Sequence, residues 1–275
     1  MIKILVDSSA DCSVNDGIID YMVPITVNID GIEYKSGVDI TSDEFYEKLL
    51  TAKEFPSTSQ PSPQSFIEIF EQAKADGDQI IYLSLSSGLS GTYQSALMAK
   101  EMVEYDDIYI IDTLSVTHLI ELLASYARKL INSGLQADEI AKQCEELKSK
   151  IKIYAGVDTL EYLYKGGRLS RASAAVGEIA GIKPIITVID GKVEVVGKSL
   201  GKQRAMNTLL EKVKSHNIDP DFPMCSLYTY GTENSKSLEE KLKSNGYTVA
   251  DRLQVGATIG THVGPGVYAV MFVEK

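Results

Sequence analysis

Short apolar segments alternate with longer amphipathic segments through the first half of this sequence. Residues 2–6, 79–83 and 108–111 have the composition of buried β-strands, and residues 91–103 and 115–131 have helical periodicity. Strands that alternate with helices of this length indicate βαβ units. We therefore predict an α/β fold whose N-terminal part is a mostly parallel sheet with helices on both faces.

Three local signals refine this prediction. Residues 23–30 form a further apolar strand, which an Asp-Gly turn joins to a strand at residues 32–35. Thr41 and Glu44 have the spacing of a capping box and predict a helix start. Ser62 and Pro63 predict a second helix start, with serine as the cap and proline at the first helical position.

The second half of the sequence has a different pattern. An Asp190-Gly191 turn between residues 183–189 and 192–196 predicts an antiparallel hairpin. The change in character near Lys152 predicts two α/β domains, at residues 1–151 and 152–275, the second with a mixed sheet. No Pro/Ser-rich linker separates them, so we expect closely packed domains with the ligand site between them.

The composition is that of a globular protein of 275 residues, with 44% hydrophobic and 24% charged residues. The net charge of -11 argues against a surface for nucleic acid or for anionic membranes in general. Three widely spaced cysteines indicate neither a disulfide framework nor a metal pair. The short apolar N-terminal run does not match a signal peptide, and no apolar run reaches the ~18 residues of a spanning helix. A reduced, cytoplasmic protein is expected.

One histidine lies among small residues near the C-terminus. The sequence GATIGTHVGPG at residues 256–266 contains His262, and glycines allow a backbone to approach a ligand closely. We therefore expect His262 on a loop rather than in a core. Hydroxyl-rich segments at residues 57–62 and 84–92 precede predicted helix starts, where free amides attract anions. Together these segments predict a site for an anionic headgroup.

Each of these segments also has a purely structural interpretation. Serine and glycine before a helix commonly act as caps, and the Thr58 segment precedes a helix start that contains proline. A histidine between glycines can be a hydrogen-bonded structural residue, and His118 and His216 are interpreted as incidental because they lie within helical segments. Asp7 and Asp11 follow the first strand, but without a further acidic cluster they do not predict a metal site.

Familiar catalytic signatures are missing from the sequence. It contains neither a G-x-x-x-x-G-K-[ST] phosphate loop nor a G-x-G-x-x-G motif after the first strand. Residues 88–92 resemble a nucleophile elbow, but Thr92 stands where G-x-S-x-G requires glycine. These features favour a binding protein without a cofactor. Two alternatives stay open: a serine hydrolase of lipid esters that uses Ser90 and His262, and a regulatory or sugar-phosphate-binding domain.

Five segments, taken in order, resemble the DegV family over nearly the whole chain. They are DSSAD at residues 7–11, TSQPS at 58–62, LSSGLSGTYQS at 85–95, LEYLYKGGRLS at 160–170 and IGTHVGPG at 259–266. The resemblance implies a two-domain α/β fold and the binding of a long-chain fatty acid. Some members, called FakB, present the acid to a separate fatty acid kinase that makes acyl-phosphate.

The resemblance also implies roles for particular residues. Thr58, Ser90 and His262 fall where the family holds the carboxylate, with the amide of Gly91. The sequence DTLSVT at residues 112–117 departs from the family pattern, in which a serine and more glycine would follow the aspartate; this departure bears on acyl preference near Leu114.

Basic residues cluster in two places despite the negative net charge. They form either ordinary solvated charge or a basic rim that docks the acidic or nucleotide-bearing kinase. Transient contact with a membrane surface is compatible with such a carrier. The candidate docking residues are Arg168, Arg171, Lys198, Lys202 and Arg204.

Overall fold

The computed structural model describes residues 1–169 and 181–275. The strands are β1 (Ile2–Asp7), β2 (Tyr21–Val23), β3 (Thr26–Ile29), β4 (Ile32–Lys35), β5 (Ser57–Ser59), β6 (Gln79–Ser84), β7 (Ile108–Asp112), β8 (Ile151–Gly156), β9 (Ile182–Ile189), β10 (Lys192–Leu200), β11 (Cys225–Tyr228), β12 (Asp251–Gln254) and β13 (Tyr268–Val273). The helices are α1 (Ser42–Thr51), α2 (Pro63–Asp76), α3 (Thr92–Val103), α4 (His118–Asn132), α5 (Ala137–Lys148), α6 (Glu161–Lys165), α7 (Lys202–Lys214), α8 (Glu233–Ser244) and α9 (Ala257–Val263).

Four strands of the first half form a parallel sheet in the order β2-β1-β6-β7. Successive side chains of β1 point to opposite faces of the sheet. Ile4 and Val6 join the apolar cluster beneath α4 and α5, whereas Leu5 packs with side chains of α2 and α3. The predicted parallel sheet with helices on both faces is confirmed.

The second half is built on a six-stranded sheet in the order β10-β9-β8-β13-β11-β12. Only the β11–β12 pair is parallel, so the predicted mixed sheet and the β9–β10 hairpin are confirmed. Val270 and Phe272 of β13 pack against α7 and α8, while Ala269 and Met271 join the cluster that contains Ile4. One apolar cluster therefore includes side chains from both halves, and the boundary at residue 151 stays a prediction.

A third, antiparallel sheet has the order β4-β3-β5 and packs against α1. The single strand predicted at residues 23–30 is wrong, because β2 and β3 belong to different sheets. Pro24 lies between them and has no amide hydrogen for a ladder bond. The next amide, that of Ile25, donates to Ser8 Oγ at 2.9 Å instead, so the chain leaves the parallel sheet here.

The predicted helix starts are confirmed. The Thr41 hydroxyl accepts from the Glu44 amide, and the Glu44 carboxylate accepts from the Thr41 amide. Pro63 is the first residue of α2, although Ser62 makes no side-chain capping bond. Within residues 1–169 and 181–275, no helix combines the length and the apolar character needed to cross a bilayer.

Candidate functional site

A cavity of about 170 Å³ lies between the loops that follow the parallel strands and the six-stranded sheet. Most of its lining is aliphatic. The apolar lining residues are Ile25, Leu85, Leu89, Val116, Ile153, Ala155, Leu163, Ile186, Val188, Val193, Leu227, Val255, Ile259, Val263, Val267 and Ala269. The polar lining residues are Thr58, Gln60, Ser90, Thr117, Arg168, Thr187, Thr258 and His262.

The structure pairs two residues that the sequence analysis singled out. Thr58 lies in β5, opposite Val27 of β3, and its Oγ1 is 2.9 Å from Nε2 of His262. These residues are 204 positions apart in the chain. The pair therefore forms only when the three-stranded sheet and α9 pack together.

The expectation that His262 lies on a loop is wrong. It lies in the last turn of α9 and is only 9% exposed. Close packing explains why residue 260 is glycine, because a Cβ there would lie 2.5 Å from the Tyr46 hydroxyl and 2.8 Å from the Phe45 ring. The glycine allows α9 to lie directly on α1, while the imidazole is covered by Thr58 and by Gly166.

His262 is neutral at neutral pH. Burial, and secondly the positive charge of Arg168, lower the pKa of its imidazole to about 4. Its Nδ1 is buried and has no hydrogen-bond partner among the described residues; a Cβ on Gly166 would lie 2.3 Å from this atom. In the tautomer with the proton on Nε2, this nitrogen donates to Thr58, whose hydroxyl hydrogen is then free for a ligand.

Ser90 lies at the start of α3. Its hydroxyl accepts from the Thr92 amide at 3.3 Å and shares a 2.8 Å hydrogen bond with the Thr92 hydroxyl. Gly91 occupies the N-cap position of α3 with no side-chain capping bond, and it is not among the described lining residues. Ser90 thus acts partly as the capping residue that the structural interpretation predicted, while it also lines the cavity.

Sequence reasoning missed Gln60. Its side-chain oxygen covers Gly91, where a Cβ would lie 2.0 Å away, and its Nε2 donates to Ser95 Oγ at 3.1 Å. Gln60 therefore connects the Thr58 segment to the start of α3. The available signal was its position two residues after Thr58, within one of the family-like segments.

Arg168 belongs to the cavity wall as well as to the predicted rim. Its Nε donates to the Leu89 carbonyl at 3.0 Å and its Nη1 to the Gly166 carbonyl at 2.5 Å. Burial lowers the pKa of the guanidinium, which is half-buried. Arg168 therefore links the turn after α6 to residues 85–91, the serine-rich loop before α3.

The other docking candidates are placed differently. Lys198, Lys202 and Arg204 are exposed on β10 and the first turn of α7. Lys202 Nζ is 3.9 Å from Asp158, a long ion pair of exposed groups. Arg171 lies outside the described residues, as does Ser170. Docking by this rim stays a prediction.

Residues 112–117, where the sequence departs from the family pattern, include unusual backbone dihedral angles. Leu114 has φ 52°, and Thr117 has φ 52° with ψ -145°, values that favour glycine. The chain therefore adopts a glycine-like path here without glycine. Val116 and Thr117 line the cavity, whereas Leu114 is not among the described lining residues.

Asp7, the last residue of β1, and Asp11, in the loop after it, lie in separate hydrogen-bond networks. Asp7 is fully buried and accepts from Ser9, from the Tyr82 hydroxyl and from the Leu85 amide. Asp11 Oδ2 accepts from the Thr117 hydroxyl at 2.6 Å. Asp7 thus holds the start of the serine-rich loop, because Leu85 is its first residue after β6.

Comparisons with known proteins identify the relatives of this chain. The model of the DegV family matches residues 1–275. The chain belongs to the DegV family. A DegV domain-containing protein of Caldanaerobacter subterraneus is 38% identical over 257 residues, which cover 93% of this chain and 91% of that protein.

Solved structures of other DegV proteins share the whole architecture. A DegV family protein from Thermus thermophilus, described by its fatty acid binding, has a TM-score of 0.88 and 28% identity, covering 100% of this chain and 99% of its own. A stearic-acid-binding protein from Eubacterium ventriosum has a TM-score of 0.85 and 28% identity with the same coverage. The two-domain DegV fold expected from the sequence is thereby confirmed.

Proposed function

We propose that this DegV protein binds a long-chain fatty acid and presents it to a separate fatty acid kinase. The carboxylate would be held by Thr58, Ser90, His262 and the Gly91 amide. The observation that carries this proposal is the cavity itself: an aliphatic chamber whose wall contains the Thr58–His262 pair beside the start of α3. The fatty acid binding of the Thermus and Eubacterium proteins supports the same ligand class.

The apolar lining supplies the affinity for an acyl chain. Each methylene moved from water into such a lining contributes ~0.8 kcal/mol, so about a dozen contribute roughly 10 kcal/mol before the entropy cost of binding. A sugar phosphate offers no comparable apolar surface. The aliphatic lining therefore favours the fatty acid over the sugar-phosphate alternative.

The polar end of the site suits a carboxylate. A buried carboxylate without partners costs several kcal/mol, and hydrogen bonds to a charged group contribute about 1.5–3 kcal/mol each. Neutral His262 turns the Thr58 hydroxyl toward the ligand as a donor. Ser90 and the amide of Gly91 supply further donors, and the Arg168 charge lies close to His262.

The hydrolase alternative needs a hydrogen bond between Ser90 and His262. Ser90 is hydrogen bonded to Thr92, and Nε2 of His262 is hydrogen bonded to Thr58. A fluorophosphonate probe separates the two functions, since a carrier leaves Ser90 unlabelled. Stoichiometric labelling of Ser90 would support the hydrolase.

The carrier role assigns the phosphoryl transfer to another protein. The sequence has no phosphate loop, so this chain incubated with ATP, Mg²⁺ and palmitate should form no acyl-phosphate. Acyl-phosphate made by the rigorously purified chain alone would contradict the carrier role.

Calorimetry tests the binding function directly. Ligand-stripped protein titrated with palmitate or oleate should bind one molecule per chain, and glucose 6-phosphate should produce no binding heat. Binding of the sugar phosphate, or no binding of either acid, would overturn the proposed ligand class.

A further inference from the structure

Three side chains of the first half hold the backbone of residues 254–256, which connects β12 to α9. The Tyr46 hydroxyl donates to the Val255 carbonyl at 2.8 Å, and Nε2 of His118 lies 2.9 Å from the Gln254 carbonyl. The Asp11 carboxylate packs against Gly256, where a Cβ would lie 2.3 Å from Oδ1. One segment is thus held by residues from the loop after β1, from α1 and from α4. We call Asp11, Tyr46 and His118 the clamp.

The clamp residues are themselves fixed. Asp11 is held by the Thr117 hydroxyl at 2.6 Å, and Tyr46 is fully buried. Nδ1 of His118 lies 2.5 Å from the Glu121 carboxylate, so both ring nitrogens face acceptors. Only the imidazolium can donate from both nitrogens. Burial acts to lower the pKa of His118, but the bond to Glu121 and the charge of Asp11 raise it overall.

The clamp is directly connected to the candidate headgroup site. Gly256 is the N-cap of α9, and the Gly260 amide donates to its carbonyl at 2.8 Å. Tyr46 also contacts the helix itself, because its hydroxyl lies against Gly260. His262 follows two residues later on the same helix. Since α9 has only seven residues, its own hydrogen bonds contribute little to its stability.

We propose that Asp11, Tyr46 and His118 are positioning residues for the carboxylate site. By holding residues 254–256, they fix the position and rotation of α9 so that His262 forms its hydrogen bond with Thr58. They touch no ligand atom and act only through α9. The expected effect of these residues on ligand affinity rests on the proposed fatty-acid-binding function. Their expected effect on the His262 ring does not.

The palmitate affinity of Tyr46→Phe tests this role, because this substitution removes one hydroxyl and retains the aromatic ring. Loss of one hydrogen bond predicts palmitate binding about three- to tenfold weaker. In a His262→Ala background, the same change should alter the dissociation constant by less than about twofold, because the clamp then has no imidazole to position. Tyr105→Phe is the matched control, since its hydroxyl donates to the Asp78 carbonyl at 2.9 Å, outside the clamp.

A pair of His118 variants separates positioning from general stability. His118→Gln retains a donor for the Gln254 carbonyl and should bind palmitate within about threefold of wild type, whereas His118→Leu should bind roughly tenfold more weakly. Equal loss in both variants, or a Tyr46→Phe effect that is the same with and without His262, would overturn the inference.

A spectroscopic measurement makes the test independent of ligand. The ¹⁵N shifts of the His262 ring report its tautomer and its bond to Thr58 in ligand-free protein. Tyr46→Phe and His118→Leu should move these shifts, while Tyr105→Phe should not. Unchanged shifts in both clamp variants would overturn positioning. Changed shifts in a protein that binds no fatty acid would instead overturn the proposed function alone.

Discussion

The imidazole of His262 is held neutral, and this determines what it can do. Because it cannot serve as a cation at neutral pH, its contribution to the proposed site is a hydrogen bond with Thr58. The positive charge beside the proposed carboxylate position is that of Arg168, whose guanidinium is fixed by two carbonyls. In the proposed site, His262 and Thr58 thus supply hydrogen bonding, and Arg168 supplies the positive charge.

Thr58→Val retains the shape of the side chain and removes its hydroxyl. We expect palmitate binding to weaken roughly tenfold or more, since a bond to a charged group is lost. Ser90→Ala should have a similar effect. Ser87→Ala is the control, because Ser87 is exposed in the same loop. Unaltered retention of palmitate in both site variants would contradict the assignment.

His262 also links stability to pH. Its unfolded pKa is near 6.5 and its folded pKa about 4, so the unfolded chain takes up the proton first as pH falls. This stabilisation is complete above pH ~6.5 and is lost toward pH ~4. Between pH 7.5 and 4.5, ligand-free wild type should lose about 2–3 kcal/mol more unfolding free energy than His262→Gln. Urea titrations at both pH values measure this; parallel losses would refute it.

At the scale of elements, the sequence predicted the strands and helices far better than their contacts. The capping box at Thr41 and the Asp-Gly turns are local signals, and local geometry followed them. The packing of α9 on α1 depends on the contact of Gly260 with Tyr46, which lies more than 200 positions away in the chain. The hydrogen bond from Tyr46 to Val255 spans a similar separation. No periodicity in the chain reports such a pair. Arg168 was likewise recognised by its charge, but its carbonyl partners were not predictable.

The two Asp-Gly hairpin turns allow a matched comparison. Gly31 has φ +81° with open space around it, whereas Gly191 has φ +74° and a Cβ there would lie 2.4 Å from Ser86 Oγ. Alanine at either position strains the backbone by about 1 kcal/mol. Gly191→Ala should cost about 1–3 kcal/mol more, because the β9–β10 turn also packs on the serine-rich loop. Equal unfolding free energies would show that this packing is weak.

Across the whole molecule, the exposed basic residues near the start of α7 are candidates for a kinase-docking face, as Arg168 and Arg171 also are. Reversing Lys198, Lys202 and Arg204 to glutamate should leave palmitate binding intact. It should slow kinase-dependent acyl-phosphate formation about tenfold at low salt, with a smaller difference at high salt. Lys214→Glu, at the other end of α7, is the control. A wild-type rate in the triple variant at low salt would exclude this face.

The proposed ligand of the cavity is a long-chain fatty acid. Native mass spectrometry of protein purified without added lipid tests it most directly, because the mass of a retained ligand identifies its class. We expect one bound molecule per chain with the mass of a fatty acid of ~14–18 carbons, and its loss in Thr58→Val and Ser90→Ala. A bound sugar phosphate, or a chain that carries no acid even after incubation with palmitate, would contradict the claim.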